Sequence, residues 1–433
     1  MTYLVSLAVL SLFTPFRVST GLVYLRPFDA LAFLMLGWAF VRGRVFPSQG
    51  IQTGFLILLP YLAWHVLSAL TVSLGNGARE GLQIVTVLAF TWAVVVEADE
   101  LDFRRAGALI LVGMTVITVY SIGWHVAHGY WTGWKRLVDP KATFTFLPLV
   151  LGCLIVAGRS GRRGLLWLGW AVLGAAIFFS GERKALLVYA VLSAGLVARG
   201  RVLSFLHVTA GAFVMLALLS SVVDDPYLAR QINSVVDPLD SGDYSTAIAT
   251  GEAARGDSRS NAQRAFAASL ARNMMAEHMV FGIGTNEYER IVAEQFAFVP
   301  EFLRNGIHGE FLRVLTENGI LGLIAYLAIW VVAAVRTRAA LIDAADQGVL
   351  TTSQVALLQL VTFVPSLMYV AFEASGTHSL VVLVFISLYA DLLFAWFAPV
   401  VRLEPAALPM RPGPEPARRI AAHTAALPAG GPS

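Results

Sequence analysis

The sequence predicts an all-α polytopic membrane protein, with about twelve transmembrane helices and one large outer loop that contains short helices. Three observations carry this expectation. Of the 433 residues, 57% are hydrophobic and only 14% are charged, whereas a soluble domain carries about a quarter charged residues. Apolar runs of about 20 residues recur along the chain, each long enough to cross ~30 Å of hydrocarbon. One mostly polar stretch, 223–317, interrupts them.

The apolar segments fall at 3–24, 27–42, 53–71, 81–97, 106–127, 142–158, 164–180, 183–199, 202–222, 318–335, 354–373 and 378–400. The first has no basic leader and no small-residue cleavage site, so it reads as a retained span and not a signal peptide. Pro60, Pro148 and Pro365 lie inside spans, where neighbouring helices can re-satisfy the backbone. The chain divides into 1–222 (nine spans), 223–317 (the loop), 318–400 (three spans) and 401–433, a tail rich in Pro, Gly and Ala that reads as disordered. The single cysteine, Cys153, excludes an intrachain disulfide and a cysteine metal cluster. The net charge of +3 says little about partners.

Arginines in short loops set the orientation. With the N-terminus inside, every inner loop carries a basic pair or triplet: Arg42 and Arg44; Arg104 and Arg105; Arg159, Arg162 and Arg163; Arg199 and Arg201; Arg336 and Arg338. Both termini are then cytoplasmic, and 223–317 faces outward. That loop holds half of the 28 acidic residues. Its first part, DDPYLARQINSVVDPLDSGDYSTAIATGEAARGDSRS, reads as irregular. NAQRAFAASLARNMMAEHMVF then reads as a helix, with Phe266, Leu270 and Met274 at i, i+4 and i+8. GIGTNEY reads as a turn.

Three features at the outer face could carry chemistry. In HGEFLRVLTENGILG, a helix beginning near Gly309 puts Glu310, Arg313 and Glu317 on one face. One reading is a solvated stripe of ion pairs worth about 0.2–0.5 kcal/mol each. His308 precedes that helix, and a histidine beside a water-filled cleft can exchange a proton near neutral pH. In SGERKALL, Arg183 opens a span; a guanidinium there can chelate phosphate oxygens, while Lys184 suits interfacial snorkelling. In the loop helix, Arg264 and Arg272 project along one edge, with Ala268 between them. Arginines converging outside the membrane suit a polyanion such as a pyrophosphate. Asp224–Asp225 reads as a pair of solvated carboxylates and not a metal site. Trp131 and Trp134 read as an interfacial aromatic belt.

Taken together, SGERKALL, QRAFAASLARNMMAEHMVFGIG and HGEFLRVLTENGILG resemble the O-antigen ligase and polymerase family of bacterial polysaccharide enzymes. Arg264 lies 18 residues before Gly282, as is typical of the family. The chain departs from the pattern at Ala268, where the family commonly has Trp, at Met279 in place of Pro, and at Gly309 in place of Asn or Ser.

The resemblance implies a periplasmic-face glycosyltransferase in the bacterial inner membrane, with the long loop periplasmic. It would move a glycan from an undecaprenyl-pyrophosphate donor to a saccharide acceptor, either lipid A–core or a growing repeat unit. The resemblance gives His308 the role of base and Arg183 and Arg264 the pyrophosphate. Arg272, Glu310, Arg313 and Glu317 are supporting residues. It implies inversion, no metal, no cofactor and no nucleic-acid partner. The alternatives are a repeat-unit polymerase for O-antigen or exopolysaccharide and, from another class, a transporter or flippase of lipid-linked sugars. The transporter reading fits less well, because the charges gather at one face and no internal repeat is evident.

Overall fold

The computed structural model describes residues 1–12, 18–19, 24–44, 49–97, 100–128, 140–157, 163–180, 183–199, 257–304, 306–372 and 380–387. The expected span at 202–222, the first part of the loop, Asp224–Asp225, Trp131, Trp134 and the tail lie outside the described residues, as does most of 378–400, of which 380–387 is helical.

Most apolar segments form helices close to their expected bounds. These are α2 (Pro27–Val41), α3 (Gln49–Val72), α4 (Leu74–Val96), α5 (Phe103–His128), α6 (Pro140–Ala157), α7 (Arg163–Ser180) and α8 (Arg183–Val197). The loop contributes α9 (Asp257–Glu277), α10 (Glu287–Gln295) and a single 3-10 turn, Glu301–Leu303. The chain continues through α11 (Glu310–Asp346) and α12 (Thr352–Phe372). Local chemistry sets several starts. Ser73 caps α4, its hydroxyl accepting from the Asn76 amide at 3.1 Å. Pro27 occupies the first turn of α2, where its missing N–H costs nothing. Pro60, Pro148 and Pro365 are accommodated inside α3, α6 and α12.

The first segment departs from expectation. It is not one span over 3–24: α1 covers only Thr2–Leu12, and Val18–Ser19 then pairs antiparallel with Tyr24–Leu25.

Among the described residues, three helices are long and apolar enough to cross a membrane: Leu74–Val96, Glu310–Asp346 and Thr352–Ala371. Several shorter apolar helices accompany them. α3 packs between α4 and α11, α2 packs on α4, and α12 packs against α6, α8 and α11. Their shared core runs through Leu58, Met114, Leu151, Ile329 and Val361. The loop builds a second, smaller core from Phe266, Leu270, Tyr288, Val292 and Leu303, with Met274 packed against it. The expected apolar face of the loop helix therefore points inward.

Two charged layers bracket α4. Beyond its C-terminus, Arg42 Nη1 meets the fully buried Glu97 at 2.9 Å and Glu100 at 2.6 Å. Hydrogen bonding to Arg42 holds the Glu100 carboxyl below the usual carboxylate range. The other layer surrounds Glu80, near the N-terminus of α4. At 1.5 Å per residue, Glu80 and Glu97 stand about 25 Å apart along the axis, close to the ~30 Å of a hydrocarbon core.

Candidate functional site

The layer around Glu80 is organised by the turn that joins α9 to α10. Its backbone docks onto α11 where that helix breaks. Gly319 has φ +67° and ψ −171°, outside helical geometry. Around this kink Ile283 N donates to Thr316 O, Gly284 N to Glu317 O and Ile320 N to Met279 O, at 2.9–3.0 Å. The approach is close enough that a Cβ on Gly282 would lie 2.3 Å from Glu317 O, and one on Gly319 2.3 Å from Val280 O. Both glycines also have positive φ, which a side chain would strain.

Polar side chains from α3 and α4 complete the clamp. Thr285 N donates to Ser68 Oγ, and Thr285 Oγ1 lies 2.9 Å from Asn318 Oδ1. Trp64 Nε1 donates to Asn318 O at 2.9 Å, and Asn76 Nδ2 to Thr285 O at 2.7 Å. The loop is thereby fixed to the two helices that flank the start of the long span.

Beneath the turn lies a buried charged cluster. Arg313 donates to Glu310 through Nη2 (2.5 Å) and Nε (3.1 Å), and its Nη1 lies 3.6 Å from Glu317 Oε2. The three pair as their i, i+3 and i+7 spacing predicts. The solvated-stripe reading is nevertheless overturned: the side chains of Glu310 and Glu317 are each 3% exposed and that of Arg313 14%. The reason is packing. Glu310 and Arg313 on this face of α11 look toward Tyr61 and His65 of α3 and Glu80 and Gln83 of α4 and not toward open water.

Two residues that sequence reasoning passed over complete the cluster. His65 Nε2 sits 3.0 Å from Glu80 Oε2, both buried, and Asn286 Nδ2 donates to Glu80 Oε1 at 2.7 Å. His65, Glu80, Gln83 and Arg313 face one cavity with Tyr61 and Tyr326, closed on one side by Leu380 and Leu383. The rings of Tyr61 and Tyr326 meet edge to face, 5.1 Å apart. The enclosed space is of the order a single water occupies. A signal for His65 and Glu80 existed, since an ionisable residue inside an apolar run is a functional-site hypothesis by default. The partner of each was not legible.

Asn286 deserves its place for two reasons: it adopts the left-handed conformation (φ +62°), which asparagine tolerates better than most residues, and it anchors Glu80. Asn286→Ala is therefore expected to lose about 2 kcal/mol, combining strain with a hydrogen bond to a carboxylate. Asn286→Gly, which keeps the backbone freedom, should lose less. Thermal unfolding of the detergent-solubilised variants checks this, and equal midpoints for the parent and Asn286→Ala would refute it.

The remaining expected site residues are distributed differently. His308 is half-buried and immediately precedes Gly309, the N-cap of α11. Arg264 and Arg272 are exposed on α9, and neither lines the cavity. Arg272 Nε donates to Ala268 O at 3.2 Å, so this guanidinium folds back along its own helix. Arg183 is the first residue of α8, as expected for an arginine that opens a span; its side chain lies outside the described residues.

The cavity's chemistry suits hydroxyl groups. Two carboxylates, Glu80 and Glu310, face it together with one guanidinium, one imidazole and the Gln83 amide, a mixed set of hydrogen-bond donors and acceptors.

Residues 168–327 match the family model described as O-antigen ligase. The matched stretch contains all three motifs, the docked turn and the buried Glu310–Arg313–Glu317 cluster. No curated protein matches the chain.

Proposed function

This membrane protein carries an O-antigen ligase family domain at residues 168–327, and from that premise we propose that it transfers a glycan from undecaprenyl pyrophosphate to a saccharide acceptor at the periplasmic face of the bacterial inner membrane. The observation that carries the reading is the family match over the stretch that supplies His308, Arg264 and Arg183. The two charged layers bracketing α4 support a chain seated across a bilayer. The arginine-paired inner loops favour cytoplasmic termini.

In this reaction His308 takes the proton from an acceptor hydroxyl. The hydroxyl oxygen bonds to the anomeric carbon, whose bond to the pyrophosphate oxygen breaks. Arg183 and Arg264 hold the departing pyrophosphate and stabilise its charge as it develops. Direct displacement inverts the anomeric centre. The reaction needs no metal, because the leaving group is already an anion that cations can hold. Arg313, Glu310, Glu317 and Arg272 are supporting residues, the first three by fixing the helix that follows His308.

His308→Ala, Arg183→Ala and Arg264→Ala should each abolish transfer in a complemented deletion strain while the protein still reaches the membrane. Transfer at the parental rate by the His308→Ala protein removes the base assignment. The same deletion strain separates the two family activities. Accumulated lipid-linked long chains identify a ligase acting on lipid A–core, and accumulated single repeat units identify a polymerase. Transfer by purified protein in detergent, without a gradient, excludes transport as the primary role.

A further inference from the structure

The turn between α9 and α10 carries three consecutive apolar side chains that the protein leaves uncovered. Met279 and Phe281 are each 64% exposed and Val280 47%. Such a run is out of place in a water-facing loop, since a protein surface seldom exposes contiguous large apolar groups without a partner. Its position identifies the partner. Met279 O accepts from Ile320 N at 2.9 Å, and Val280 O lies 3.5 Å from Leu321 N. The three residues therefore lie level with the first turn of the long apolar helix beyond Gly319.

That turn of α11 begins a stripe of exposed apolar side chains: Ile320, Ile324, Leu327 and Val331, at i, i+4, i+7 and i+11. A one-sided stripe on a helix of this length and hydropathy is a lipid-facing surface. On the other side of the turn, Phe281 stacks on Trp64 of α3, with ring centroids 5.9 Å apart. The exposed apolar patch is thus continuous with the exposed stripe of α11 and meets α3 at Trp64.

We propose that residues 279–281 of the outer loop are immersed in the bilayer, at the boundary between headgroups and acyl chains. Non-helical backbone is tolerated at that depth only where its polar groups are satisfied within the protein. The bonds from α11 to the carbonyls of 279 and 280, and from Gly282 N to His278 O at 2.8 Å, satisfy those groups, and the remaining amides of the turn set it at headgroup depth, where water reaches them, and no deeper. The anchor holds the loop against the membrane surface, and does so whether or not the transferase reading holds. If that reading holds, it also keeps the site at headgroup depth, where the pyrophosphate of a membrane-anchored donor lies.

Nitroxide labels test the depth. Phe281→Cys and Met279→Cys are made in a Cys153→Ala background, labelled and reconstituted in phosphatidylcholine vesicles. Ile324→Cys serves as the lipid reference and Glu294→Cys as the water reference. The ratio of collisions with oxygen to collisions with a water-soluble nickel complex should be several-fold higher at 279 and 281 than at 294, approaching the value at 324. A ratio matching that at 294 overturns the proposal. Should either labelled variant misfold, the parent protein in the same vesicles is photolabelled with a membrane-partitioned apolar carbene reagent. Modification of the peptide containing 279–281 supports the immersion, and its absence there, with α11 modified, overturns it.

Discussion

Arg313→Ala is expected to cost about 3–5 kcal/mol of stability and to remove transfer activity with it. The guanidinium is the cation between Glu310 and Glu317, both almost wholly buried. Deleting it leaves two carboxylates with neither water nor counter-charge, which is far worse than never having buried them. The comparison that isolates this effect is Arg313→Met combined with Glu310→Gln and Glu317→Gln. With the charges removed together, most of the lost stability should return, so the three positions should be strongly non-additive. Melting midpoints in detergent or nanodiscs decide it. An Arg313→Ala protein that melts with the parent would show that the cluster is hydrated, as an exposed stripe would be.

Gly319→Ala should be nearly as damaging, at about 2–5 kcal/mol. A side chain at positive φ costs about 1–2 kcal/mol, and forcing a methyl into an occupied space adds about 1–3 kcal/mol. The methyl would meet Val280 O at 2.3 Å and Gly282 N at 2.6 Å, so it must separate the loop from α11. Gly282→Ala should behave alike, since its methyl would meet the backbone of Glu317. Gly81→Ala is the matched control: it lies in α4 with nothing within 4 Å of the added carbon. That substitution should be neutral or slightly stabilising through the loss of unfolded-chain freedom. Yield of monodisperse protein and melting midpoint are the readouts. Equal behaviour of Gly319→Ala and Gly81→Ala would refute the docked-turn geometry.

Both predictions rest on contacts between segments far apart in the chain, and this marks where sequence reasoning stopped. The Glu310–Arg313–Glu317 pairing was legible because helical periodicity puts residues three and four apart on one face. Whether that face met water or protein was not, because local spacing carries no information about what packs against it. His65 and Glu80 show the same limit. Each stands out as an ionisable group at or within an apolar segment, but the 3.0 Å contact between them, and Asn286 reaching Glu80 across 206 residues, depend on how α3, α4 and the turn are stacked.

The amino-acid sequence by itself determined the helical membrane architecture, the bounds of most helices, the inward face of the loop helix and the family motifs. All of these follow from hydropathy and periodicity along the chain, which are local properties. It read residues 3–24 as one span, whereas α1 covers Thr2–Leu12 and Val18–Ser19 pairs with Tyr24–Leu25, because an apolar count carries no information about backbone pairing. Only the tertiary structure decided that the GIGT turn docks on the Gly319 kink, that the charged face is buried, and that Met279–Phe281 lies level with the exposed apolar stripe of α11. Those outcomes are set by backbone groups that must find partners and by charges that must find counter-charges. Which partner each one finds is a property of the packed chain, not of any stretch of it.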